Sequence, residues 1–553
     1  MKLSLRALFA TTGIMVCGLG FVLPLPALAA DQTVLMKKIE SLSQQLDELK
    51  KQMQELRQQE SSKDEWVAKV EKKAQDAEKK VQIVEKKTHE AAKSSALEIS
   101  GDYRFRVDRL KGETPAYYNF NDVLPWMLGR MVGAPPAVRP AQEYRNNSLL
   151  TNRLGLNLKA KATEDIAVKA RLVMYKGWGE ETYASSPFFA DRFYSFDGNA
   201  GHTPQDNILR VDQAYATWSG IGGAPVWFSV GRRPSTGGIP TNLRQNIEKN
   251  SSDTAGVPGL LVDYAFDGAT VGVAPDISML PGAYAKFCYG RGFESGFTPA
   301  TSSVNTLKDV HFVGVNLVPY ATDNLRVELQ WDRGYNIFAF PESETLFALP
   351  GFHNANLGNI DQYMIGVSGK VENLGPGDLN LFASSGMSKT HPNGNQLTFN
   401  AGTAAAPVMV PIAGLMYDGL VPTSTTGTAF YLGGRYDIKS MGTKLGLEYN
   451  HGSKNWVSFA PASDDMWTAK QGVHGNVYEA YLIHEINSRP VSKFGKAQFR
   501  LGYQYYDFKY TGSNNWVGAP RNIADLALTP ANAQMLIPLK NARNIYLTFD
   551  VAF

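Results

Sequence analysis

Charged side chains occupy every second position along several segments of this 553-residue sequence. Apolar residues take the positions between them, so the charges fall on one face of each predicted β-strand. Basic and acidic groups facing each other across water select solutes by charge and size. Alternatively, these groups pair with one another and only solvate an inner wall. The residues assigned to this pore-lining face are Arg104, Arg106, Arg153, Lys159, Lys169, Arg171, Arg210, Asp212, Arg326, Glu328, Asp332 and Arg500.

Catalytic and metal-binding motifs give little signal. The sequence has no GxSxG nucleophile elbow, no HExxH zinc motif and no GxxxxGK[ST] phosphate loop. His484 and Glu485 are neighbours on a predicted strand, so their side chains point to opposite faces. Asp464 and Asp465 are adjacent acids, which is a weak signal for calcium. The sequence also lacks the CxxCH motif of c-type haem. We therefore expect no enzyme, no metal site and no cofactor.

The basic loop at residues 231–250 contains Arg232, Arg233 and Arg244 beside a Gly-rich turn. Such a loop could grip an anion, but a solvated basic loop is the favoured interpretation. A second loop, residues 114–140, is unusually apolar and rich in proline. We expect it to fold into the lumen or to cover a subunit interface.

Alternating strands spread over residues 96–553 must position these side chains. LEISGDYRFRVD (97–108), NRLGLNLKAKA (152–162) and AQFRLGYQYY (497–506) are typical. A soluble β-sandwich also alternates, but its polar face looks outward over a compact core. Here the apolar face is thin and aromatic, and it recurs without condensing into such a core. The pattern favours an all-β transmembrane barrel with lipid outside and a polar lumen inside.

The connections between strands predict their number. Short links such as ATED (162–165) and KSMG (439–442) alternate with long ones, and bacterial barrels have an even number of strands. Seventeen strand-like segments are found, with a short turn assigned to DG (267–268). Treating residues 269–290 as one strand with a Pro/Gly bend gives sixteen. Eighteen is the alternative, if a strand lies within residues 389–426.

Residues 1–95 have a different organisation. Lys2, Arg6, the apolar run 7–25 and the small residues before Asp31 are typical of a signal peptide over residues 1–30. Residues 31–95 contain neither Gly nor Pro and carry heptads of apolar residues. Such heptads indicate a periplasmic coiled coil that self-associates. The oligomerisation residues of its first half are Leu35, Ile39, Leu42, Leu46, Leu49, Met53 and Leu56.

The chain ends on the alternating segment NIYLTFDVAF, with Phe553 as its last residue. With Phe549 and Val551, this aromatic end resembles the signal read by the outer-membrane assembly machinery. The same segment is predicted to pair with the first strand and close the barrel. An even strand number puts both ends of the barrel on one side, and short turns place that side in the periplasm of a Gram-negative bacterium.

The charge balance excludes one class of partner. The chain has 55 Lys and Arg against 52 Asp and Glu, whereas nucleic-acid binders show a basic excess. The expected partners are outer-membrane lipid, the assembly machinery and further copies of this chain. A sixteen-stranded barrel is wide enough for a passive, water-filled channel. The alternative is an envelope anchor, or a sheath around a partner such as a cytochrome supplied by another chain.

Several segments carry a family resemblance. ISGDYRFRVD, LRVDQAYATW, VWFSVGRRPSTGG, GVPGLLVDYAFDG and RLGYQYYDFKYTGSNNW resemble the bacterial family known as domain of unknown function 3373. The resemblance implies a porin-like outer-membrane protein without an established substrate. A signal, a short coiled coil and a barrel of this size are also similar to trimeric porins, which supports a homotrimer.

Overall fold

The computed structural model describes two compact units of this chain, which divide at Ala96 and Leu97. The ranges described are 28–57, 97–129, 131–179, 187–192, 196, 202–234, 240–247, 260–296, 307–339, 352–403, 405–462, 464–486 and 495–553.

The first unit contains one described helix, α1 (Leu28–Arg57). All seven predicted oligomerisation residues lie within α1, and Leu42, Leu46 and Leu49 are half-buried. The heptads after Arg57 and nearly all of the predicted signal peptide lie outside the described residues, so the coiled coil stays a prediction. Across the part of the chain that is described, no helix combines the length and apolarity needed to cross a membrane.

The second unit is a closed antiparallel barrel, with sixteen strands in the described residues. Consecutive barrel strands pair with each other, and the last strand pairs with the first. The predicted closure and the predicted number of strands are therefore confirmed. The strands are β1 (Leu97–Glu113), β2 (Glu143–Lys161), β3 (Ile166–Gly177), β4 (Asp206–Ser219), β5 (Val226–Pro234), β6 (Ala265–Val273), β7 (Tyr284–Phe293), β8 (Val310–Ala321), β9 (Leu325–Phe338), β11 (Asn356–Leu374), β12 (Gly377–Pro392), β15 (Thr426–Ile438), β16 (Thr443–Gly452), β17 (Gly475–Glu485), β18 (Lys496–Phe508) and β19 (Asn541–Ala552).

The long connections carry the remaining elements. A three-stranded sheet in the order β10–β13–β14 is separate from the barrel. The prediction of eighteen barrel strands is therefore wrong, because the strands within residues 389–426 pair elsewhere. These elements are β10 (Phe352–His353), β13 (Leu397–Asn400), β14 (Met409–Ala413), α2 (Phe120–Met127), α3 (Thr241–Gln245) and the 3₁₀ turns Ala190–Arg192, Ile221–Gly223, Lys439–Met441, Lys470–Gly472, Ile523–Asp525 and Pro530–Asn532.

The region after residue 258 differs from the prediction in its details. Asp267 and Gly268 lie inside β6 rather than in a turn, and residues 269–290 form parts of two strands. The link from β6 to β7 contains Gly282 at φ 65°, a left-handed conformation that glycine adopts without strain. The Pro/Gly stretch therefore reverses the chain direction instead of bending one strand.

The barrel wall has one apolar and one polar face. On β18 and β19, Leu501 and Leu547 are 51% and 44% exposed, whereas their neighbours Arg500 and Thr548 are at most 1% exposed. Exposed apolar side chains at alternate positions, with polar ones buried between them, are the pattern expected of a lipid-facing wall.

Strand β4 departs from simple alternation. The pairing of β3 with β4 shifts between Arg171 and Leu172, and Asp212 lies at the resulting β-bulge. Asp212 and Gln213 are both buried, and the alternation is reversed beyond them, so that Trp218 lies exposed. The bulge therefore brings two consecutive polar side chains to the inner face.

Candidate functional site

The connection from β16 to β17, residues 453–474, is hereafter the inner loop, and it crosses the lumen. At one side the ring of Phe459 packs 5.1 Å from that of Phe312 on β8. At the other, the carboxylate of Asp464 contacts Arg104 on β1. β1 and β8 are separated by seven strand pairings one way round the barrel and nine the other. Phe459 and Asp464, which are five positions apart in the inner loop, thus contact nearly opposite walls.

Several groups fix the inner loop in this position. One carboxylate oxygen of Asp191 accepts bonds from the backbone N–H groups of Ala462 and Ala469, both at 3.0 Å, and from the Thr468 hydroxyl at 2.8 Å. The Gln362 amide on β11 donates to the carbonyl of Val457 at 2.7 Å. Because wall and neighbouring loop both hold it, the inner loop has a defined conformation.

Five arginines converge on the side where Asp464 lies. Arg104 and Arg106 come from β1, Arg153 from β2, Arg171 from β3 and Arg500 from β18. All five are buried. Their strands are neighbours in the barrel, with β19 between β1 and β18. Alternation along each strand therefore points them into one region, called here the arginine cluster.

Asp464 sits within this cluster. Its carboxylate contacts Arg104, lies 3.8 Å from Arg153 and 4.0 Å from both Arg106 and Arg500. Its carbonyl accepts from Arg106 at 3.1 Å. Burial raises the pKa of Asp464, but these four guanidinium groups outweigh burial and hold that pKa well below its usual range.

The backbone that presents Asp464 is strained. Ala462 has φ 52°, in the left-handed region that alanine seldom adopts, and Asp464 has φ 65°, which aspartate adopts more readily. Such a residue costs roughly 1–3 kcal/mol and persists where surrounding contacts impose it. The inner loop therefore carries stored strain at the point where its carboxylate enters the arginine cluster.

A second group of charges, the lysine cluster, anchors the far end of the inner loop. It consists of Lys470 and Asp465 from the inner loop, Glu448 on β16, Glu479 on β17 and Arg244 on α3. Lys470 Nζ lies 2.6 Å from Glu479 and also contacts Glu448. Arg244 bridges Asp465 at 2.7 Å and Glu479 at 3.1 Å. Because all five are buried, each charge depends on its partners.

The twelve predicted pore-lining residues fall into three groups. Asp212 joins the arginine cluster, where it lies 3.6 Å from Arg171. On β9, Arg326 pairs with Glu328 at 3.3 Å, and Asp332 accepts from Gln330. Lys159 pairs with Glu98 at 2.9 Å, Arg210 pairs with Asp206 at 2.6 Å and Lys169 lies half-buried on β3.

The predicted loop roles are found only in part. The first half of residues 114–140 packs inward, since Tyr117, Phe120 and Leu124 are buried in apolar clusters, whereas the described residues 131–138 beyond α2 are mostly exposed. The prediction that the basic loop at residues 231–250 is solvated is wrong for Arg244, which is 2% exposed and pairs with two carboxylates. The sequence gives only a weak calcium signal for Asp464 and Asp465, whereas both side chains contact arginine in the structure. In the sequence, the signal for this site is a pair of adjacent acidic residues close to Trp467 in a long connection.

The terminal strand meets β1 in register. Phe549 pairs with Phe105 and Val551 with Tyr103. Phe553 donates its N–H to the carbonyl of Gly101 at 2.9 Å. The aromatic end thus lies at the closing seam of the barrel, and its role as an assembly signal stays a prediction.

Comparisons with known proteins give one family match. A family model described as a protein of unknown function (DUF3373) matches residues 143–553. No curated protein matches the chain at a significant level. Among solved structures, the chain is similar to OmpF of Salmonella typhi in complex with daunomycin, with 9% identity and a TM-score of 0.37 over 82% of this chain and 97% of that chain.

Two further solved structures are similar at the same level. They are an anion-selective porin from Comamonas acidovorans, with 10% identity and a TM-score of 0.38 over 83% of this chain and 99% of that chain, and OprB of Pseudomonas putida, with 12% identity and a TM-score of 0.38 over 84% and 96%.

Proposed function

The chain belongs to the family described as a protein of unknown function (DUF3373), and we propose that it acts as an outer-membrane channel for small hydrophilic solutes or ions. We further propose that the inner loop closes this channel. The observation that carries the proposal is a closed sixteen-stranded barrel with an apolar outer face and a charged inner face.

The two faces support a place in a membrane. Leu447 is 69% exposed on β16, and its neighbour Glu448 on the same strand is buried. Lipid is a favourable environment for exposed apolar side chains such as Leu447. Because the barrel is closed, no strand edge with unpaired backbone groups faces the lipid. The short connections and both ends of the barrel lie on one side. Because short connections face the periplasm in outer-membrane barrels, the proposal assigns that side to the periplasm and the long connections to the outside.

The inner wall supports passage of polar solutes. Barrels with sixteen strands leave an aqueous channel when their interior is not filled by the chain itself. On β9, Arg326 pairs with Glu328, and Asn316 on β8 donates a hydrogen bond to the same carboxylate. This part of the wall is therefore hydrophilic without a large net charge.

The inner loop supports a gated channel rather than a permanently open one. It contacts the wall from Phe312 on β8 to Arg104 on β1. Much of its attachment is ionic, and ionic groups regain hydration when they separate. Displacement of the loop would open the lumen without unpairing any barrel strand.

The same loop disfavours the sheath alternative. A cytochrome from another chain would need the space that Trp456, Phe459 and Asp464 occupy. Homotrimer formation through α1 and recognition of Phe553 by the assembly machinery are parts of the proposal that rest on sequence pattern.

Conductance in planar lipid bilayers tests the proposed function. We expect the purified full-length protein to show rare stepwise openings and Asp464→Asn to show frequent ones. Heat-modifiable mobility on gels would verify that each barrel is intact. Intact barrels without steps in either form would refute the channel and favour the anchor.

A further inference from the structure

We propose that the arginine cluster is an oxyanion-binding site of the channel, and that Asp464 occupies it in the closed state in place of a small carboxylate-bearing solute. This inference rests on the proposed function and adds the class of solute to it. The inner loop then acts as a tethered competitor of the solute that the channel carries.

The geometry of Asp464 resembles that of a bound anion more than that of a simple ion pair. One guanidinium group is enough to balance a carboxylate, but four lie within 4.0 Å of this one. Those of Arg106 and Arg153, at 4.0 Å and 3.8 Å, are beyond hydrogen-bond distance from the carboxylate. The site therefore presents more donors than Asp464 uses, and a free oxyanion could approach them more closely.

The arginines remain ordered without Asp464, because the wall itself holds them. Arg106 pairs with Asp108 at 2.8 Å, and Arg171 pairs with Asp102 at 2.7 Å. Aromatic rings support the same groups: the guanidinium carbon of Arg106 lies 4.7 Å from the centre of the Tyr546 ring. A site that keeps its shape when its occupant leaves is preorganised for another.

The charge of the wall favours an anion once Asp464 has left. The cluster contains five arginines, and its wall carboxylates are Asp102, Asp108, Asp212 and Asp550, so one positive charge is left over. Asp464 supplies the missing negative charge in the closed state. Without it, the buried excess charge is stabilised by a small anion and destabilised by a cation.

Backbone strain distinguishes the tethered anion from a free one. Asp464 reaches the arginines from a backbone in which Ala462, two positions before it, has φ 52° and Asp464 itself has φ 65°. A free carboxylate makes the same contacts without that strain. A solute can therefore compete with Asp464, which is what a channel opened by its own solute requires.

Thermal unfolding of the full-length protein in detergent tests the binding site independently of conductance. Asp464→Ala opens a carboxylate-sized gap among the arginines, and sodium acetate is compared with sodium chloride at equal ionic strength. We expect the Tm of this variant to rise saturably with acetate, as binding to the folded state requires. Wild type, in which acetate must displace Asp464, should show a much smaller rise, and Asp465→Ala, whose gap lies in the lysine cluster, should respond no more than wild type does. Equal shifts in all three proteins, or none in Asp464→Ala, would overturn the inference.

Bilayer recordings of Asp464→Asn provide a second measurement, since this variant keeps the size of the side chain. In a potassium chloride gradient, the reversal potential of this variant should lie closer to the equilibrium potential of chloride than the reversal potential of wild type does. Adding Arg104→Gln should reverse that shift, because it removes the closest guanidinium group. Cation preference in open Asp464→Asn channels would contradict the site while leaving the channel in place. Acetate stabilisation without any conductance would support the site and refute the channel.

Discussion

Substitution of Lys470 by methionine tests whether buried ion pairs hold the channel closed. Lys470 is 1% exposed, and its ammonium group contacts Glu448 and lies 2.6 Å from Glu479. Methionine keeps the side chain's length but removes its charge. Glu479 keeps Arg244 at 3.1 Å, whereas in the described part of the chain Glu448 keeps only the bond from the Tyr431 hydroxyl, at 2.7 Å. Breaking a buried pair in this way costs about 3–5 kcal/mol.

This cost predicts the size of the effect. Since a tenfold change in an equilibrium corresponds to about 1.4 kcal/mol, the population with a displaced inner loop should rise at least roughly a hundredfold. Hydrogen exchange at the amides of Ala462 and Ala469 reports this population directly, because both donate to Asp191 in the closed state. Their protection should fall by the same factor in Lys470→Met, while that of the barrel strands stays high.

A second substitution separates the charge from the packing. Glu448→Gln removes the carboxylate that Lys470→Met leaves without a cation, and glutamine can still accept the bond from Tyr431. The double variant should recover most of the lost protection. If Lys470→Met alone leaves protection unchanged, or if the double variant is no better than the single one, buried charge is not what holds the inner loop.

Three further predictions concern the loop and the stalk. Ala462→Gly removes strain at φ 52°, so it should favour the closed state by about 1 kcal/mol and reduce channel openings about fivefold in bilayer recordings. Burial lowers the pKa of His474, partly offset by the carbonyls of Trp456 and Thr511. Its contribution to loop stability should therefore be present above about pH 6.5 and decrease as the pH falls. Hydrogen exchange should show that decrease in wild type and much less of it in His474→Gln. Deletion of residues 35–91 should dissociate oligomers in light scattering and leave the barrel heat-modifiable.

The barrel was predictable because alternation is a local property. In each strand, the alternation of apolar and polar residues indicates which side faces lipid. Leu501 could therefore be assigned to the outer face and Arg500 to the inner face from their positions alone. Closure by the terminal strand followed from its pattern and from the even number of strands. The errors came where local geometry changes without a change in composition. The bulge at Asp212 and the reversal at Gly282 both depend on backbone conformations that alternation does not encode.

The inner loop was not predictable for a different reason. Its contacts join residues far apart in sequence: Arg104 and Asp464 are 360 positions apart, and Arg244 and Asp465 are 221 apart. No periodicity links such positions. The alternation of the strands predicts that the arginines face the lumen. What occupies the lumen in front of them depends on how a loop folds back, which alternation does not encode. Parity alone therefore could not distinguish an open lumen from an occupied one.

The two sides of the inner loop also differ in what their separation costs. Trp456 and Phe459 are at most 1% exposed, and moving a large apolar side chain into water costs about 1.5–3 kcal/mol. Asp464 and Lys470 regain hydration when they leave their partners, which offsets much of the lost attraction. Opening should therefore begin where Asp464 meets the arginine cluster, while the aromatic side stays attached to β8. The loop then swings about its apolar end, and the arginine cluster is the first part of the wall to meet water.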